Sequence, residues 1–310
     1  MLVLVAPGQG AQKPGLLTPW LELPGVADRL AEWSAAIGMD LAHYGTKAGE
    51  EEIRDTAVAQ PLLVAASLVS ADALLEGRDV AGAVGTVAGH SVGELAAAAL
   101  AGVLSPADAM TLVTARGRAM AEAAAVTDTG MSAVLGGEPE AVVAHLDKLG
   151  LTAANINGGG QIVAAGTAEQ LAALTDHKPE KARVIPLKVA GAFHTHHMTP
   201  AVEVLAGAVE GAQVADPVLP YVSNLDGAVV EDGRQVVQRL VGQISASVRW
   251  DLCMETFQKM GVTALIEVCP GGTLTGLAKR GLPGVRTLAL KTPDDLDAAR
   301  ELIAEHAQTA

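Results

Sequence analysis

Ala88-Gly89-His90-Ser91-Val92-Gly93-Glu94 decides how this chain is read, with Ala83, Val84, Gly85 and Val87 before it and Leu95-Ala96-Ala97-Ala98-Ala99-Leu100 after it. Small and apolar residues lead up to one serine and an alanine-rich run leaves it, which predicts a strand, a sharp turn and a helix. Gly89 and Gly93 stand two residues either side of Ser91, where a tight strand-to-helix reversal leaves no room for a Cβ. Such a turn lifts a hydroxyl out of the core and sets it beside the amides at a helix N-terminus. Those amides stabilise the oxyanion formed when a serine attacks a carbonyl. Covalent acyl chemistry at Ser91 is the expectation, and it needs partners from elsewhere in the chain.

The composition narrows the class. A chain of 310 residues buries a full core, as one large domain or a large one with a smaller insert. It is 50% hydrophobic but only 2% aromatic, so Ala, Val and Leu must fill that core. Lys and Arg total 21 against 35 Asp and Glu, a net charge of −14 that disfavours nucleic acid and anionic lipid as partners. Met1-Leu2-Val3-Leu4-Val5-Ala6-Pro7-Gly8 carries no basic leader, and its apolar run is too short for a signal peptide. No later stretch offers a charge-free span of bilayer length, since the run after Ser91 carries Glu94 and soon meets Asp108. A cytoplasmic protein is expected, with Cys253 and Cys269 as buried thiols.

Leu2 to Ala6 reads as a buried strand running into the loop Pro7-Gly8-Gln9-Gly10-Ala11-Gln12. A loop leaving such a strand sits at the carboxyl edge of a parallel sheet, where sites collect. Its spacing matches neither a dinucleotide nor a phosphate loop, so amides near Gln9 and Gly10 are read as a second oxyanion donor. Val26 to Ile37 and Glu50 to Arg54 read as surface helices, and Gln60-Pro61 opens an apolar helix from Leu62 to Leu75. Gly77 to Ala81 turns the chain into the central strand. Ser105-Pro106-Ala107-Asp108 is a helix start, opening a helix to about Ala125 that carries Arg116 and Arg118. Composition alone does not choose between those arginines.

From Met131 the pattern changes to strands at Met131–Leu135, Thr152–Ile156, Gln161–Ala165 and Arg183–Val189, with helices at Pro139–Leu149 and Ala168–His177. This β-α-β-β-α-β order is that of a ferredoxin-like unit. Residues 128–189 are therefore expected to form an inserted ferredoxin-like subdomain, and residues 1–127 with 190–310 a large, discontinuous catalytic domain. The loop Asn155-Ile156-Asn157-Gly158-Gly159-Gly160 is read as the hairpin joining its middle strands. The chain re-enters the larger unit at Gly191-Ala192-Phe193-His194-Thr195-His196-His197-Met198. Helices follow at 200–210, 235–241, 250–260, 273–279 and 293–306, and strands at 218–223, 263–268 and 286–290. Apolar strands alternating with helices make an α/β fold, a largely parallel sheet flanked by helices in a hydrolase-like core.

A serine hydroxyl needs a base, and imidazole suits neutral pH. His90 adjoins the serine but is turned the other way by the elbow, which leaves His194, His196 and His197. His-Thr-His resembles a metal fragment, but no matching Asp, Glu or Cys cluster lies nearby, so no metal is expected. The acid of a triad is missing, because Asp128, Asp147 and Asp176 all fall in the apparent insert.

Gly8-Gln9-Gly10-Ala11-Gln12, Gly89-His90-Ser91-Val92-Gly93-Glu94, Arg116 and Gly191-Ala192-Phe193-His194 together resemble the malonyl-CoA:acyl carrier protein transacylases of fatty acid and polyketide synthesis. The resemblance spans essentially the whole chain. It implies Ser91 as nucleophile and His194 as base, with His196 the alternative base. The side-chain amide or backbone of Gln243 would orient the imidazole in place of a carboxylate. Backbone amides of Gln9 and Val92 would form the oxyanion hole, and Arg116 would grip the malonyl carboxylate. Phe193 would fill the space that an α-methyl group needs. No permanently bound cofactor is implied. Malonyl-CoA is the donor, and the phosphopantetheine of holo acyl carrier protein is the acceptor. The carriers are acidic and so is this chain, so attraction would come from a local patch drawn from Lys181, Arg183, Lys188, Lys279, Arg280 and Arg286. A serine esterase or thioesterase using Ser91 and His194 is the rival reading, and a non-catalytic carrier-binding scaffold the lesser one. The pathway served, fatty acid or polyketide, stays open.

Overall fold

The strand β1 (Leu2–Ala6) is buried at every residue because it runs in the middle of a parallel sheet with both faces covered. In the computed structural model, which describes residues 1–307, the remaining strands are β2 (Thr86–Gly89), β3 (Thr129–Gly136), β4 (Thr152–Gly158), β5 (Gln161–Thr167), β6 (Ala182–Pro186), β7 (Tyr221–Val222), β8 (Val229–Val230), β9 (Val248–Arg249), β10 (Ala264–Glu267) and β11 (Arg286–Ala289). The main sheet has the order β11-β10-β1-β2-β7-β8. Its pairs are parallel except β7 with β8, and Leu4 stands opposite both Val87 and Ile266. Parallel pairing aligns the carboxyl ends of β1 and β2, so the loop after Ala6 and the turn after Gly89 emerge side by side.

The second sheet has the order β6-β3-β5-β4-β9. β3 to β6, with the helices Pro139–Lys148 and Ala168–Asp176, form the ferredoxin-like pattern of antiparallel strands. Val134, Leu146, Leu151, Ile162 and Leu174 give this unit a core of its own. β9 comes from the returning chain and pairs in parallel with β4, Asn155 opposite Val248, tying the two sheets together.

Several elements differ from the sequence expectation. The apolar helix runs Thr56–Leu75 rather than from Leu62, because the Asp55 side chain caps it by accepting from the Ala57 N–H. Pro61 lies inside it, where it removes one helical donor, and burial of this helix outweighs that loss. By length and composition this helix could cross a membrane, but 89% of its apolar 18-residue window is buried inside the fold, as suits a core helix. Val80–Ala83 is a short helical turn before β2, and the expected strand at 218–223 shrinks to Tyr221–Val222. The helix Leu41–Thr46 and the two-residue strands β8 and β9 have no periodicity long enough to be read.

Candidate active site

At the end of β2 the chain turns through Ser91, whose φ is 53°, and enters the helix Gly93–Leu100. A serine held in this left-handed region costs about 1–3 kcal/mol, so the surroundings must enforce it. A Cβ on Gly89 would lie 2.1 Å from the Gly93 carbonyl carbon, and one on Gly93 would lie 2.2 Å from the Ala6 carbonyl oxygen. The glycines are required by close approach of backbone, which packs the turn against the end of β1.

His194, also left-handed at φ 61°, places Nε2 2.7 Å from Ser91 Oγ. Its Nδ1 lies 2.8 Å from the Gln243 carbonyl oxygen. A carbonyl only accepts, so Nδ1 carries the proton and Nε2 presents a lone pair to the serine hydroxyl. The orienting group is thus the backbone of Gln243, not its side chain. Burial, and then the Arg116 cation, push His194 down to about 3, so the ring is neutral and ready to accept a proton. His196 is exposed, with its ring centroid 4.1 Å from that of His197. The hydrogen bond to Ser91 belongs to His194. Among the described residues no group of three His, Cys, Asp or Glu side chains is placed to hold a metal.

Of the two arginines on the helix Pro106–Ala124, Arg118 is exposed and bonds the Ile37 carbonyl at 3.3 Å. Arg116 is 1% exposed and points at the serine. Its Nη1 donates to Gln60 Oε1 at 2.6 Å, and its Nη2 to Gln243 Oε1 at 2.7 Å and Ser91 Oγ at 3.4 Å. Burial lowers Arg116 to about 10, which leaves it a cation at neutral pH. The Gln243 Nε2 donates to the Ser91 carbonyl at 3.0 Å and to the buried carboxylate of Glu94.

The backbone N–H groups of Gln9 and Val92 have no acceptor within the protein among the described residues. The Gly10 N–H is taken by Gln12 Oε1 at 2.8 Å, so of the two loop amides near Gln9 and Gly10 it is that of Gln9 that is left to donate. Gln9, Val92, Ser91, Arg116, His194 and Phe193 line one cavity of about 240 Å³. Met131, Val163 and Val189 line it as well, so the second sheet supplies part of its wall. His90 turns toward that sheet and bonds Asn157 Oδ1 at 2.8 Å, while the Asn157 amide donates to Gln161 Oε1 at 2.9 Å. Gln60 and Asn157 therefore line the site and Glu94 lies behind it against Gln243, although the sequence showed them only as a helix opener, a hairpin and a motif end. The available signal was Gln60, one of few polar residues in an apolar stretch.

Among the basic residues, Arg286 pairs with Glu305, and Lys181 lies 3.9 Å from Glu180. Arg183 on β6 and Lys188 beyond it are exposed. Lys279 and Arg280 are exposed in the last turn of the helix Thr273–Gly281, whose Thr273, Leu274 and Leu277 line the cavity.

Comparison with known proteins gives the family of the whole chain. The malonyl CoA-acyl carrier protein transacylase of Mycobacterium tuberculosis is 51% identical over 96% of this chain and 98% of its own length. The crystal structure of MCAT from that organism superimposes with a TM-score of 0.93 at 50% identity, covering 96% of this chain and 99% of the other. A malonyl-transacylase solved in complex with its type II PKS acyl-carrier protein gives a TM-score of 0.89 at 32% identity, over 97% of this chain and 99% of that one. Matched over residues 3–293 to the family described as acyl transferase domain, the chain belongs to that family.

Proposed function

We propose that the protein transfers the malonyl group from malonyl-CoA to the phosphopantetheine thiol of acyl carrier protein, through a malonyl ester on Ser91. The transacylase name of its relatives, at 51% identity over nearly the whole chain, supports the reaction. One observation carries the residue assignment. A neutral imidazole 2.7 Å from Ser91 Oγ and a buried guanidinium 3.4 Å from the same oxygen converge on one hydroxyl.

In the first half reaction His194 Nε2 takes the serine proton as Oγ attacks the thioester carbon. The Gln243 carbonyl, accepting from Nδ1–H, stabilises the imidazolium that forms. Negative charge on the carbonyl oxygen is met by the Val92 and Gln9 amides, which are preorganised and otherwise unused. Collapse expels the CoA thiolate, which takes the proton from His194. In the second half reaction the carrier's thiol gives its proton to His194 and attacks the ester, and Ser91 leaves with that proton. Arg116 grips the distal carboxylate, a role suited to a planar fork with two donor edges. Phe193, 6% exposed and next to His194, occupies space that an α-methyl substituent needs. The chemistry asks for no resident cofactor.

The same reading takes residues 128–189 as an inserted subdomain that completes the acyl pocket of the catalytic domain, 1–127 with 190–310. It places the enzyme in the cytoplasm, consistent with two buried free thiols. Intact-mass measurement tests the function. Malonyl-CoA should add one malonyl mass, and holo carrier protein should remove it and become malonylated. Loss of the mass to water as fast as to the carrier would make the protein a thioesterase, and no added mass would leave only a scaffold.

A further inference from the structure

Gln243 holds three parts of the site at once. Its backbone oxygen accepts from His194 Nδ1–H, its Oε1 accepts from Arg116, and its Nε2 donates to the Ser91 carbonyl. A carboxamide has a donor end and an acceptor end of nearly the same shape, so shape alone does not decide which end faces Arg116. The neighbour at the nitrogen end is Glu94, 1% exposed, on the first turn of the helix after the nucleophile. Its Oε1 accepts the Asn224 backbone N–H at 2.6 Å, and its Oε2 accepts from Gln243 Nε2.

We propose that Glu94 is a positioning residue for the acyl clamp: by accepting at both oxygens it fixes the Gln243 carboxamide so that an oxygen, not an NH2 group, faces Arg116. The proposal rests on the malonyl-transfer reading and extends it to a residue that touches no substrate. The reasoning is one of donors and acceptors. The Asn224 N–H is backbone and always needs an oxygen opposite it. A Gln at position 94, or a protonated Glu94, keeps that oxygen but turns a donor toward Gln243. Gln243 must then present its own oxygen to position 94 and its NH2 to the guanidinium. Arg116 loses an acceptor and meets a second donor, while the Ser91 carbonyl loses its amide partner. The backbone bond from Gln243 to His194 does not depend on the flip, so the serine–histidine pair persists.

Burial pushes the Glu94 carboxyl up to about 7, with the Asn224 and Gln243 N–H groups opposing that rise. The other titratable groups near it do not change charge over the same range. Burial pushes Tyr221 and Cys253 up and His90 and His194 down, and Arg116 stays cationic at about 10. Malonyl selectivity should therefore rise with pH as Glu94 ionises.

The test compares loading of the enzyme by malonyl-CoA and by acetyl-CoA, in wild type and Glu94→Gln, from about pH 6 to about pH 8. In Glu94→Gln the KM for malonyl-CoA should rise about tenfold or more while acetyl loading stays within about twofold. The malonyl-to-acetyl ratio should climb with pH in wild type and be flat in the variant. Equal losses for both acyl groups, or no loss for either, would overturn the proposal. Should the variant fail to fold, a wild-type ratio that is flat with pH overturns it alone. A wild type that takes no acyl mass from either thioester sinks the transferase reading itself, which is a different result.

Discussion

The Arg116 guanidinium, 1% exposed, carries five N–H donors, and Gln60, Gln243 and Ser91 supply acceptors for it. With Gln60 and Gln243 holding the fork, the malonyl carboxylate adds a charged acceptor on the donors they leave free, which is the source of selectivity at residue scale. Arg116→Ala should cost malonyl transfer about 2 kcal/mol, about thirtyfold in kcat/KM, and leave acetyl transfer nearly untouched. Steady-state kinetics with the two thioesters checks this, and an equal fall for both contradicts the clamp. His194 carries a second prediction. An ordinary imidazole is half protonated near 6.5, whereas this one is pushed down to about 3, so acetyl loading should show no histidine-type loss between about pH 7 and about pH 5. The sign for stability is opposite in consequence. In acid the unfolded chain gains a proton at His194 that the fold refuses, so stability falls as pH drops from about 6.5 toward about 3. A urea titration across that range reads it.

Elements position these residues. The helix Thr273–Gly281, whose first turns line the cavity, begins after Gly271-Gly272 with no side-chain cap of its own. Glu267, at the end of β10 and fully buried, accepts instead from the Gly272 N–H at 2.8 Å, the Leu274 N–H at 2.9 Å and the Thr275 N–H at 2.8 Å. An anion against a helix N-terminus is favoured twice, by hydrogen bonds and by the helix dipole. Glu267→Gln turns an NH2 toward these donors and should lower unfolding free energy by about 3 kcal/mol, visible as a lower urea midpoint. An unchanged midpoint would contradict that account. At this scale the sequence was most informative where one motif set local geometry. The turn around Ser91 followed from Gly89 and Gly93, and the loop at Gln9 from the strand before it. The bonds from Arg116 to Gln60 and from His90 to Asn157 were hidden because each joins residues far apart in the chain, and the Glu267 cap because it comes from the strand before the glycine loop and not from a residue at the helix start. The two-residue β9 was hidden for another reason, since it is too short to show alternation.

For the whole molecule, the site lies where the carboxyl ends of the parallel strands meet a wall from the second sheet. The α/β order and the ferredoxin-like pattern were legible because their strands and helices are long. How the two units meet was not, because β9 and the His90–Asn157 bond make that junction. Net charge of −14 repels an acidic carrier at long range, so docking depends on where the positive charges remain unpaired. Arg286 and Lys181 have acidic neighbours, whereas Lys279 and Arg280 are exposed at the far end of a helix that lines the cavity. Reversing both, Lys279→Glu with Arg280→Glu, should lower kcat/KM for the carrier about tenfold with little change in loading from malonyl-CoA. Transfer kinetics at varied carrier concentration separates the two, and unchanged kinetics would move the docking surface elsewhere.

The central claim is that one strained hydroxyl becomes a malonyl ester. Brief incubation with malonyl-CoA, acid quenching, proteolysis and tandem mass spectrometry test it most directly. The account predicts the malonyl mass on the peptide containing Ser91, assigned to that residue, and none in Ser91→Ala. Malonyl found on another side chain, or a Ser91→Ala enzyme that still loads, would contradict it.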